Sequence, residues 1–429
     1  MRKRAYYVVF TTLCTLFFGW MIIDLMAPSS TALGATTIIV TTTADEYNLD
    51  NGLCSLREAV VAANTNTAFG GCPAGSGMDT IYIPAGVYTL TIAGADEDEA
   101  ATGDLDLRED VVISGEGVGT TIIQGNNLDR VFHIIPFITL PPTTVDVRMD
   151  NLTIAGGYAI NVGAGGGGVL LEGQYNSLDI RECEIRDNQT PSAVGGGLDN
   201  RLGNLVVTNC SIVDNLAERG GGIYTDGTTE INQSLIYGNH GNVDGGGLDN
   251  GGSGETTLVN VTIAGNTSDT GSGLFNDSTL HIVNSTIVEN TGIGDGVSSN
   301  GIIYFKNTIV ALNGENGVVN CGGNGSFNSN GHNLENADTC NFTSPGDQPN
   351  TDPLFEMGGL KDHGGGTLTY ALQSQSPAID SGDNTDCATV DQRGFHRPVD
   401  GDDDGTPTCD IGAFEFFITY TVFMPVIIR

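Results

Sequence analysis

The sequence predicts an all-β fold, a right-handed parallel β-helix with about 25 residues in each coil. Three observations favour it: two sequence markers repeat with one common period, short β-branched stretches alternate with turns of Gly, Asn and Asp, and the composition disfavours helices. The chain has 429 residues, of which 62 are Gly and only 16 are Lys or Arg. A helical bundle is disfavoured because Gly is a poor helix former, whereas Lys and Arg are good ones.

Two markers carry the repeat. An Asn closes a short apolar stretch at successive spacings of 27, 24, 27, 24 and 23 residues, and a Gly-rich triplet precedes Leu or Ile at spacings of 25, 25 and 26. Two markers in phase are typical of a solenoid, in which each repeat contacts only its neighbours. The Asn residues are Asn188, Asn215, Asn239, Asn266, Asn290 and Asn313, and the apolar residues are Leu198, Ile223, Leu248 and Leu274.

The stretches between the turns are too short for helices, and a leucine-rich repeat would need more Leu, so a β-helix is favoured. About seven recognisable coils at the ~4.8 Å strand spacing predict a rod of roughly 35 Å. We expect the Asn side chains to occupy left-handed turns and to bond along the rod, and the Gly triplets to permit bends where a Cβ would clash. The predicted inward column is Ile185, Ile212, Ile263 and Ile287.

Residues 1–34 predict an export signal. A basic start at Arg2 to Arg4 precedes an apolar run over residues 5–23, and small residues up to Gly34 provide a cleavage site. The apolar run is long for a signal, so an uncleaved anchor is the alternative. Such an anchor would be the only membrane contact that the sequence predicts.

Caps are expected at both ends of the coil region, because an open coil exposes apolar side chains and strand edges. We assign residues 35–110 to an N-terminal cap with the first strands, 111–345 to the coils, 346–415 to a C-terminal cap, and 416–429 to an apolar tail or edge strand. In the N-terminal cap, the spacing of Ser and Glu predicts a capping box that starts a helix. The box comprises Ser55 and Glu58, and the apolar face of the helix comprises Leu56, Ala59, Val60 and Ala63.

Eight cysteines follow Cys14, an even number that predicts disulfides in an oxidising compartment. Sequence cannot establish connectivity. Cys183 and Cys210 both lie five residues before a ladder Asn, so they are expected on adjacent coils, either bridged or as stacked reduced thiols. The local pairs that the spacing favours are Cys54–Cys72, Cys183–Cys210, Cys321–Cys340 and Cys387–Cys409.

Several motifs resemble known families. The segment Cys54–Ala59 (Cys-Ser-Leu-Arg-Glu-Ala) resembles the CSLREA domain of exported bacterial β-helix proteins, and Ser376–Asp380 together with Cys409–Glu415 resembles the choice-of-anchor Q family. The coil repeats are similar to the GGxI and FxxN repeats of polymorphic outer-membrane proteins, with Ile in place of Phe. The resemblance implies a secreted or surface-displayed β-helix with adhesin-like binding, and it implies no agreed set of catalytic residues.

Asp400, Asp402 and Asp404 predict a calcium site. Carboxylates at alternate positions followed by Gly match the first half of an EF-hand-type loop. The twelfth position is Ile411, where a bidentate Glu would be needed, so Asp410 or another residue of the cap would have to complete the ligands. A solvated acidic loop is the alternative.

A second acidic cluster joins residues 96–99 with Asp104 and Asp106. Charge runs of this kind usually form a solvated face, and structural calcium is the weaker interpretation. The six His residues lack the spacing of a zinc site. In the C-terminal cap, a partly buried ion-pair network is predicted. It comprises Asp391, Arg393, Arg397 and Glu415.

Asp187 and Asp214 are the weak catalytic alternative. Each precedes a ladder Asn on adjacent coils, about 5 Å apart, which suits the two carboxylates of a retaining glycosidase. Arg186 lies beside them as a base or a clamp. The same position is Gly238 and Gly265 in later coils, so an exposed polar face is the better interpretation.

The net charge of −36 disfavours nucleic acids and anionic membranes as partners. The sequence therefore predicts an exported, surface-associated, monomeric and non-catalytic β-helix that binds carbohydrate or another cell-surface ligand. Two alternatives stay open: a polysaccharide lyase or glycoside hydrolase that uses acidic residues and calcium on a coil face, and a passive structural surface protein.

Overall fold

The computed structural model describes residues 34–95, 97–135, 144–159 and 165–418. Four parallel sheets, here named I to IV, form a β-solenoid in which each full coil passes through sheets I, II, III and IV in turn. The predicted fold class is confirmed. The predicted export signal up to residue 33, residues 419–429 of the predicted tail and Asp96 of the acidic cluster lie outside the described residues.

Within these ranges, sheets I to IV contain 11, 10, 5 and 9 strands, and the strands of each sheet are given next in spatial order. Sheet I comprises Thr37–Ile39, Asp79–Tyr82, Val111–Ser114, Asp146–Asp150, Ser177–Arg181, Asn204–Thr208, Thr228–Asn232, Glu255–Val259, Thr279–Val283, Ile302–Lys306 and Ser326–Ser329. Sheet II comprises Gly86–Thr89, Thr121–Gln124, Thr153–Ala155, Glu184–Arg186, Ser211–Val213, Leu235–Tyr237, Thr262–Ala264, Thr286–Val288, Ile309–Ala311 and Leu334–Glu335. Sheet III comprises Gln189–Val194, Leu216–Arg219, His240–Asp244, Thr267–Ser268 and Thr291–Gly292. Sheet IV comprises Leu105–Leu107, Phe132–Ile134, Val169–Glu172, Leu198–Arg201, Ile223–Thr225, Leu248–Asn250, Leu274–Asn276, Val297–Ser299 and Cys321–Gly323.

The coils vary in length more than the repeat markers indicate. Equivalent positions on neighbouring coils are separated by 23 residues near the C-terminal end, between Asn290 and Asn313, and by 43 residues at the N-terminal end, between Thr37 and Thr80. Sheet I spans more coils than the seven recognised in the sequence, and its 11 strands correspond to a length of roughly 48 Å. The earlier coils were missed because their turns lack both markers.

The core of the solenoid is aliphatic, as predicted. Ile185, Ile212, Ile263 and Ile287 are fully buried, and Ile236 continues the same column. Alternating side chains of each strand point into this core or away from it, because successive Cβ atoms lie on opposite faces of a strand.

The asparagine ladder is confirmed. Asn215 Oδ1 accepts the backbone N–H of Asn188 at 3.0 Å and its side-chain amide at 3.1 Å, and Asn215 Nδ2 donates to the carbonyl of Ile185 at 2.9 Å. The other ladder residues repeat this pattern up to Asn313. The ladder therefore satisfies backbone groups that the turns leave without strand partners.

The predicted left-handed geometry of these Asn residues is wrong. The residue before each ladder Asn has the positive φ instead, as at Asp187 (57°) and Asp214 (54°). The residue with positive φ makes the turn at the corner of the coil. The following Asn can therefore direct its side-chain amide into the interior of the solenoid. Left-handed Asn residues do occur at the corner between sheets I and II, as at Asn209 and Asn260.

The Gly triplets bend the chain between sheets III and IV. Gly195 has a φ of 67°, and a Cβ at Gly196 would lie 2.4 Å from the carbonyl oxygen of Gly221 on the next coil. The predicted steric reason for Gly is thus confirmed at this bend.

Helix α1, Leu56–Thr65, covers the first coils. Its capping box forms as predicted: Ser55 Oγ accepts the N–H of Glu58, and the Glu58 carboxylate accepts the N–H of Ser55, both at 3.2 Å. The predicted apolar face, Leu56, Ala59, Val60 and Ala63, is buried. Among the described residues, no helix has the length and hydrophobicity that a bilayer span requires.

The C-terminal cap does not sit across the end of the rod. The end is closed by Phe342, which is buried against Phe305 with 5.2 Å between ring centroids. The following segment runs back along the outer face of sheet II, where Gln392 Oε1 accepts from Thr262 Oγ1 at 2.5 Å and Tyr370 donates to Glu289 at 2.7 Å. The outward side chains of sheet II are small or apolar in this region, and the C-terminal segment buries them. Water is therefore excluded from both faces of the sheet here.

Three of the four predicted disulfides form, namely Cys54–Cys72, Cys321–Cys340 and Cys387–Cys409. The predicted Cys183–Cys210 bridge does not: both are buried free thiols on adjacent coils. Cys210 Sγ accepts the N–H of Cys183 at 3.3 Å, as Ser234 Oγ accepts the N–H of Cys210 at 3.1 Å one coil later. The thiol therefore serves as a ladder acceptor, and the alternative of stacked thiols is confirmed.

Candidate functional site

One column of outward side chains on sheet IV contains several buried ionisable groups with shifted pKa values. The strand register places its members on successive strands. We name it the outer column; it comprises Asp106, His133, Leu170, Asp199, Tyr224, Asp249 and Phe275.

Apart from Tyr224, which is partly exposed, the outer column is buried although it faces away from the core. Asp199 and Asp249 have no exposed side-chain surface. The Gly bends bring the preceding backbone onto them: a Cβ at Gly195 would lie 2.8 Å from the Cβ of Asp199, and one at Gly245 would lie 2.8 Å from that of Asp249. The bend between sheets III and IV therefore forms a narrow angle in which these carboxylates lie.

Arg219, at the end of its sheet III strand, joins the middle of the column. Its Nε lies 3.0 Å from Asp249 and 3.3 Å from Asp244, and its Nη2 lies 3.5 Å from Asp277. The guanidinium carbon lies 5.9 Å from the ring centroid of Tyr224 and 5.7 Å from that of Phe275. The Arg219 guanidinium therefore interacts with three carboxylates and two aromatic rings. Because one cation faces three carboxylates, the cluster has more acidic than basic groups.

Burial changes the protonation of these groups. It raises the pKa of Asp249 to about 7 against the lowering effect of Arg219, with Asp244 and Asp277 adding to the rise. Burial likewise raises the pKa of Asp199 to about 7, although Arg201 lowers it. The pKa of Tyr224 is raised by burial and by Asp226, whose carboxylate accepts a hydrogen bond from the Tyr224 hydroxyl at 3.0 Å. Both Asp carboxyls therefore exchange protons near neutral pH.

The N-terminal part of the column contains a histidine between two carboxylates. His133 Nδ1 lies 3.3 Å from Asp106 Oδ1, and Nε2 lies 3.3 Å from Glu172 Oε2. Burial lowers the pKa of His133, but Asp106 and Glu172 outweigh burial and raise it to about 9. Asp98 brings a third carboxylate, and one oxygen each of Asp98 and Asp106 and a ring nitrogen of His133 lie within 4.8 Å of one another.

The weak catalytic alternative is placed elsewhere, at the corner between sheets II and III. Arg186 binds Asp187 at 2.5 Å and Glu184 at 3.0 Å, and the Asp187 side chain is 55% exposed. Burial and the charge of Asp187 raise the pKa of Asp214. The arrangement is an exposed ion pair beside a second carboxylate, on a face remote in the coil from the outer column.

The predicted calcium loop is assembled differently from the prediction. Oxygens of Asp380, Asp400 and Asp402 lie within 4.8 Å of one another, whereas the Asp404 carboxylate accepts the N–H of Thr406 at 2.7 Å. The Asp404 carboxylate is bonded within its own turn, so it is directed away from Asp400 and Asp402. Asp380, from an earlier part of the cap, is the third carboxylate of the cluster. The buried Asp410 carboxylate does not join them, because it accepts N–H groups of Asp380 and Phe416.

The predicted ion-pair network of the cap is present. Arg393 binds Asp391 at 2.6 Å, and Arg397 lies 3.2 Å from Glu415 with both side chains fully buried. Burial raises the pKa of Glu415 to about 7, against the lowering effect of Arg397. These pairs order the cap, and their partners are all within it.

The outer column was missed in the sequence, although a signal exists. Four of its residues directly follow the Leu or Ile of the second repeat marker, as in Leu198-Asp199 and Ile223-Tyr224. A polar or aromatic residue beside a core residue is ordinary in a strand, so the position alone did not indicate burial. The Gly bend that covers it is a tertiary feature.

Comparisons with known proteins identify no family. No protein-family model matches the chain, and no curated protein does. Among solved structures, a chain described as ORF18 of Geobacillus virus E2 is similar over 70% of this chain, with 14% identity and a TM-score of 0.38. The matched region spans 60% of that chain's own length.

Proposed function

We propose that this protein is an exported, surface-associated β-solenoid that binds carbohydrate, without catalysis, beside the outer column. The three disulfides support a non-reducing, extracellular environment. The resemblance of the Cys54–Ala59 segment to the CSLREA domain, and of the C-terminal motifs to the choice-of-anchor Q family, favours the same location.

One observation carries the proposal: Tyr224 and Phe275 flank Arg219 among carboxylates in a bend of the chain. Sugars present apolar C–H faces, which pack on aromatic rings, and hydroxyls, which bond to carboxylates and guanidinium groups. Tyr224 is partly exposed and Arg219 is 31% exposed, so a ligand can reach both from solvent. Asp244 and Asp277 supply further acceptors at the rim.

The test is a binding screen of the purified protein against neutral and acidic glycans. We expect Tyr224→Ala to weaken binding of the best ligand by about tenfold or more, because a ring contact is lost. The matched control is Tyr304→Ala on sheet I, where a partly exposed Tyr stacks on His281 at 4.9 Å between centroids. Equal affinity of both variants would contradict the proposed place of binding.

A glycoside hydrolase is the second candidate, and the pair Asp199 and Asp249 favours it. They lie two strands apart, about 10 Å at the strand spacing, close to the upper limit for an inverting pair. Both pKa values are near 7, which suits a general acid. Release of reducing sugar that is lost in Asp199→Asn and Asp249→Asn would replace the binding proposal with this one. If none of the glycans in the screen binds, a passive structural role is favoured.

We also propose that the C-terminal cap binds calcium through Asp380, Asp400 and Asp402. Carboxylate oxygens are the ligands that calcium prefers. Calcium at millimolar concentration should raise the melting temperature of the protein, and Asp402→Asn should reduce that rise while Asp404→Asn should not. An unchanged melting temperature would remove calcium from the proposal.

A further inference from the structure

We propose that the N-terminal end of the outer column is a binding site for a divalent transition metal such as Zn²⁺, with His133 Nδ1, Asp106 Oδ1 and an Asp98 carboxylate oxygen as ligands. The site is separate from the proposed carbohydrate site and from the calcium loop of the C-terminal cap. Three different parts of the chain supply it: the loop from residue 97 to residue 104, the first strand of sheet IV, Leu105–Leu107, and the next, Phe132–Ile134.

The distance between the two buried ligand atoms fits a metal better than a hydrogen bond. Asp106 Oδ1 is buried and receives no hydrogen bond from any described residue, although His133 Nδ1 is only 3.3 Å away. Two ligands bound tetrahedrally at about 2.0–2.1 Å from zinc are separated by about 3.3 Å. One oxygen each of Asp98 and Asp106 and one ring nitrogen of His133 lie within 4.8 Å of one another, so Asp98 is placed to supply the third ligand.

The orientation of the imidazole supports the same assignment. Its Nε2 is hydrogen-bonded to Glu172 Oε2 at 3.3 Å, which leaves Nδ1 directed towards Asp106. Metal-bound His residues commonly donate their other ring nitrogen to a carboxylate, which holds the ring in place and makes the ligand more basic. Glu172 would serve as such a positioning residue.

The site is held in place before any ion arrives. The side chains of Asp106 and His133 are 0% and 8% exposed. Asp106 Oδ2 accepts the N–H of Ala100 at 2.7 Å, and the buried Arg57 of helix α1 donates to the carbonyl of Ala100 at 3.1 Å and to that of Gly103 at 2.8 Å. The helix therefore fixes the loop that carries the acidic residues.

The ligand chemistry selects the class of ion. Imidazole with carboxylates suits zinc or another first-row divalent metal, whereas calcium takes oxygen ligands. Arg130 pairs with Asp104 at 3.3 Å, so it does not compensate Asp106 directly. The ion would neutralise a buried carboxylate and join the N-terminal cap to the second strand of sheet IV.

The test uses the full chain with its disulfides intact, freed of metal by a chelator. Titration with ZnCl₂ followed by calorimetry should show one site in the wild type. Titration with CoCl₂ should add the intense visible d–d absorption of tetrahedral cobalt without a thiolate charge-transfer band, which distinguishes this site from the free thiols Cys183 and Cys210.

The variants are His133→Gln and Asp106→Asn, with His281→Gln as the matched control. His281 also pairs with a carboxylate, Glu255 at 3.2 Å, but on the exposed face of sheet I. We expect the first two variants to weaken zinc binding by about tenfold or more and to lose the cobalt spectrum, and the control to bind as the wild type does. A wild type without stoichiometric zinc binding, or a His133→Gln variant that binds equally well, would overturn the proposal and leave an ion pair only. If the variants do not fold, the wild-type titrations still decide the question.

Discussion

At the scale of single residues, the buried carboxyls of the outer column and the cap make stability depend on pH. The folded pKa values of Asp199, Asp249 and Glu415 are all raised to about 7, above the unfolded values near 4. The folded state then holds more protons than the unfolded state between these limits. Their contribution is complete below about pH 4 and is lost as pH rises through about 7.

We therefore predict that the free energy of unfolding falls between about pH 4 and 7, by at most about 1.4 kcal/mol per pH unit for each group. Urea unfolding at several pH values measures this. Asp249→Asn cannot titrate at this position, so it should make the dependence shallower. A free energy that rises with pH over this range would contradict the assignment.

A ladder asparagine should be far more sensitive than an exposed one. Asn239→Ala would leave the side-chain amide and N–H of Asn215 and the carbonyl of Ile212 without their partners inside the solenoid. We expect a loss of roughly 2–4 kcal/mol in the free energy of unfolding, because each unsatisfied buried group costs about 1–3 kcal/mol.

The control for the ladder is Asn232→Ala. Asn232 donates to Glu230 at 2.8 Å on the exposed face of sheet I. Its substitution should change the free energy of unfolding by less than about 0.5 kcal/mol. Chemical denaturation of both variants gives the comparison, and a similar effect of the two would show that the ladder is dispensable.

At the scale of elements, one cation of helix α1 joins three segments of the N-terminal region, in addition to the contacts of the buried apolar face. Arg57 is fully buried, binds Asp45 at 2.7 Å and donates to three carbonyls of the loop before Leu105–Leu107. Asp45 in turn accepts the N–H groups of Thr91 and Ile92. A single side chain thus connects the helix, the N-terminal segment and the acidic loop.

We predict that Arg57→Ala lowers the free energy of unfolding by about 3–5 kcal/mol, because it leaves a buried carboxylate unpaired. Ser55→Ala, two residues away, removes the cap and the hydrogen bond that Ser55 Oγ donates to the carbonyl of Glu46, and it should cost about 1–2 kcal/mol. Differential scanning calorimetry separates the two. If Arg57→Ala were no worse than Ser55→Ala, the helix would not depend on this connection.

The C-terminal cap shows why an element cannot always be placed from its own sequence. Its composition, rich in Pro, Gly and Asp, indicated a cap, but nothing in it distinguishes the end of a rod from its side. The other half of the signal lies in sheet II, where the charged and partly exposed Glu184 and Arg186 give way to the small or apolar outer residues Ala264 and Val288. That change becomes meaningful only when the register is known.

At the scale of the whole molecule, the thiols and disulfides give a direct check of the fold. The structure has three disulfides among the described residues and leaves Cys183 and Cys210 free but inaccessible. We predict that alkylation of the native protein modifies neither thiol, and that alkylation in denaturant modifies both. Peptide mass spectrometry after each treatment measures this. A peptide pair joined through Cys183 and Cys210 would contradict the arrangement.

Reduction of the disulfides should then destabilise the molecule as a whole. Cys321–Cys340 closes a loop of 19 residues at the C-terminal end of the solenoid, and Cys387–Cys409 closes a loop of 22 residues in the C-terminal cap. Each loop of this length contributes about 3 kcal/mol in the chain-entropy account. A midpoint of unfolding unchanged by reductant would show that packing alone holds these segments.

The sequence by itself determined the features that repeat locally: the solenoid, its inward Ile column, the Asn ladder and the capping box at Ser55. Each rests on spacing within one coil or one turn of helix, where periodicity dictates which side chains share a face. Only the tertiary structure decided that Asp106 meets His133, that Arg219 reaches Asp249, that Asp380 replaces Asp404 and that the last segment lies along sheet II. These contacts join positions on different coils, and because coil length varies between 23 and 43 residues, their register follows from stacking and burial rather than from any local pattern.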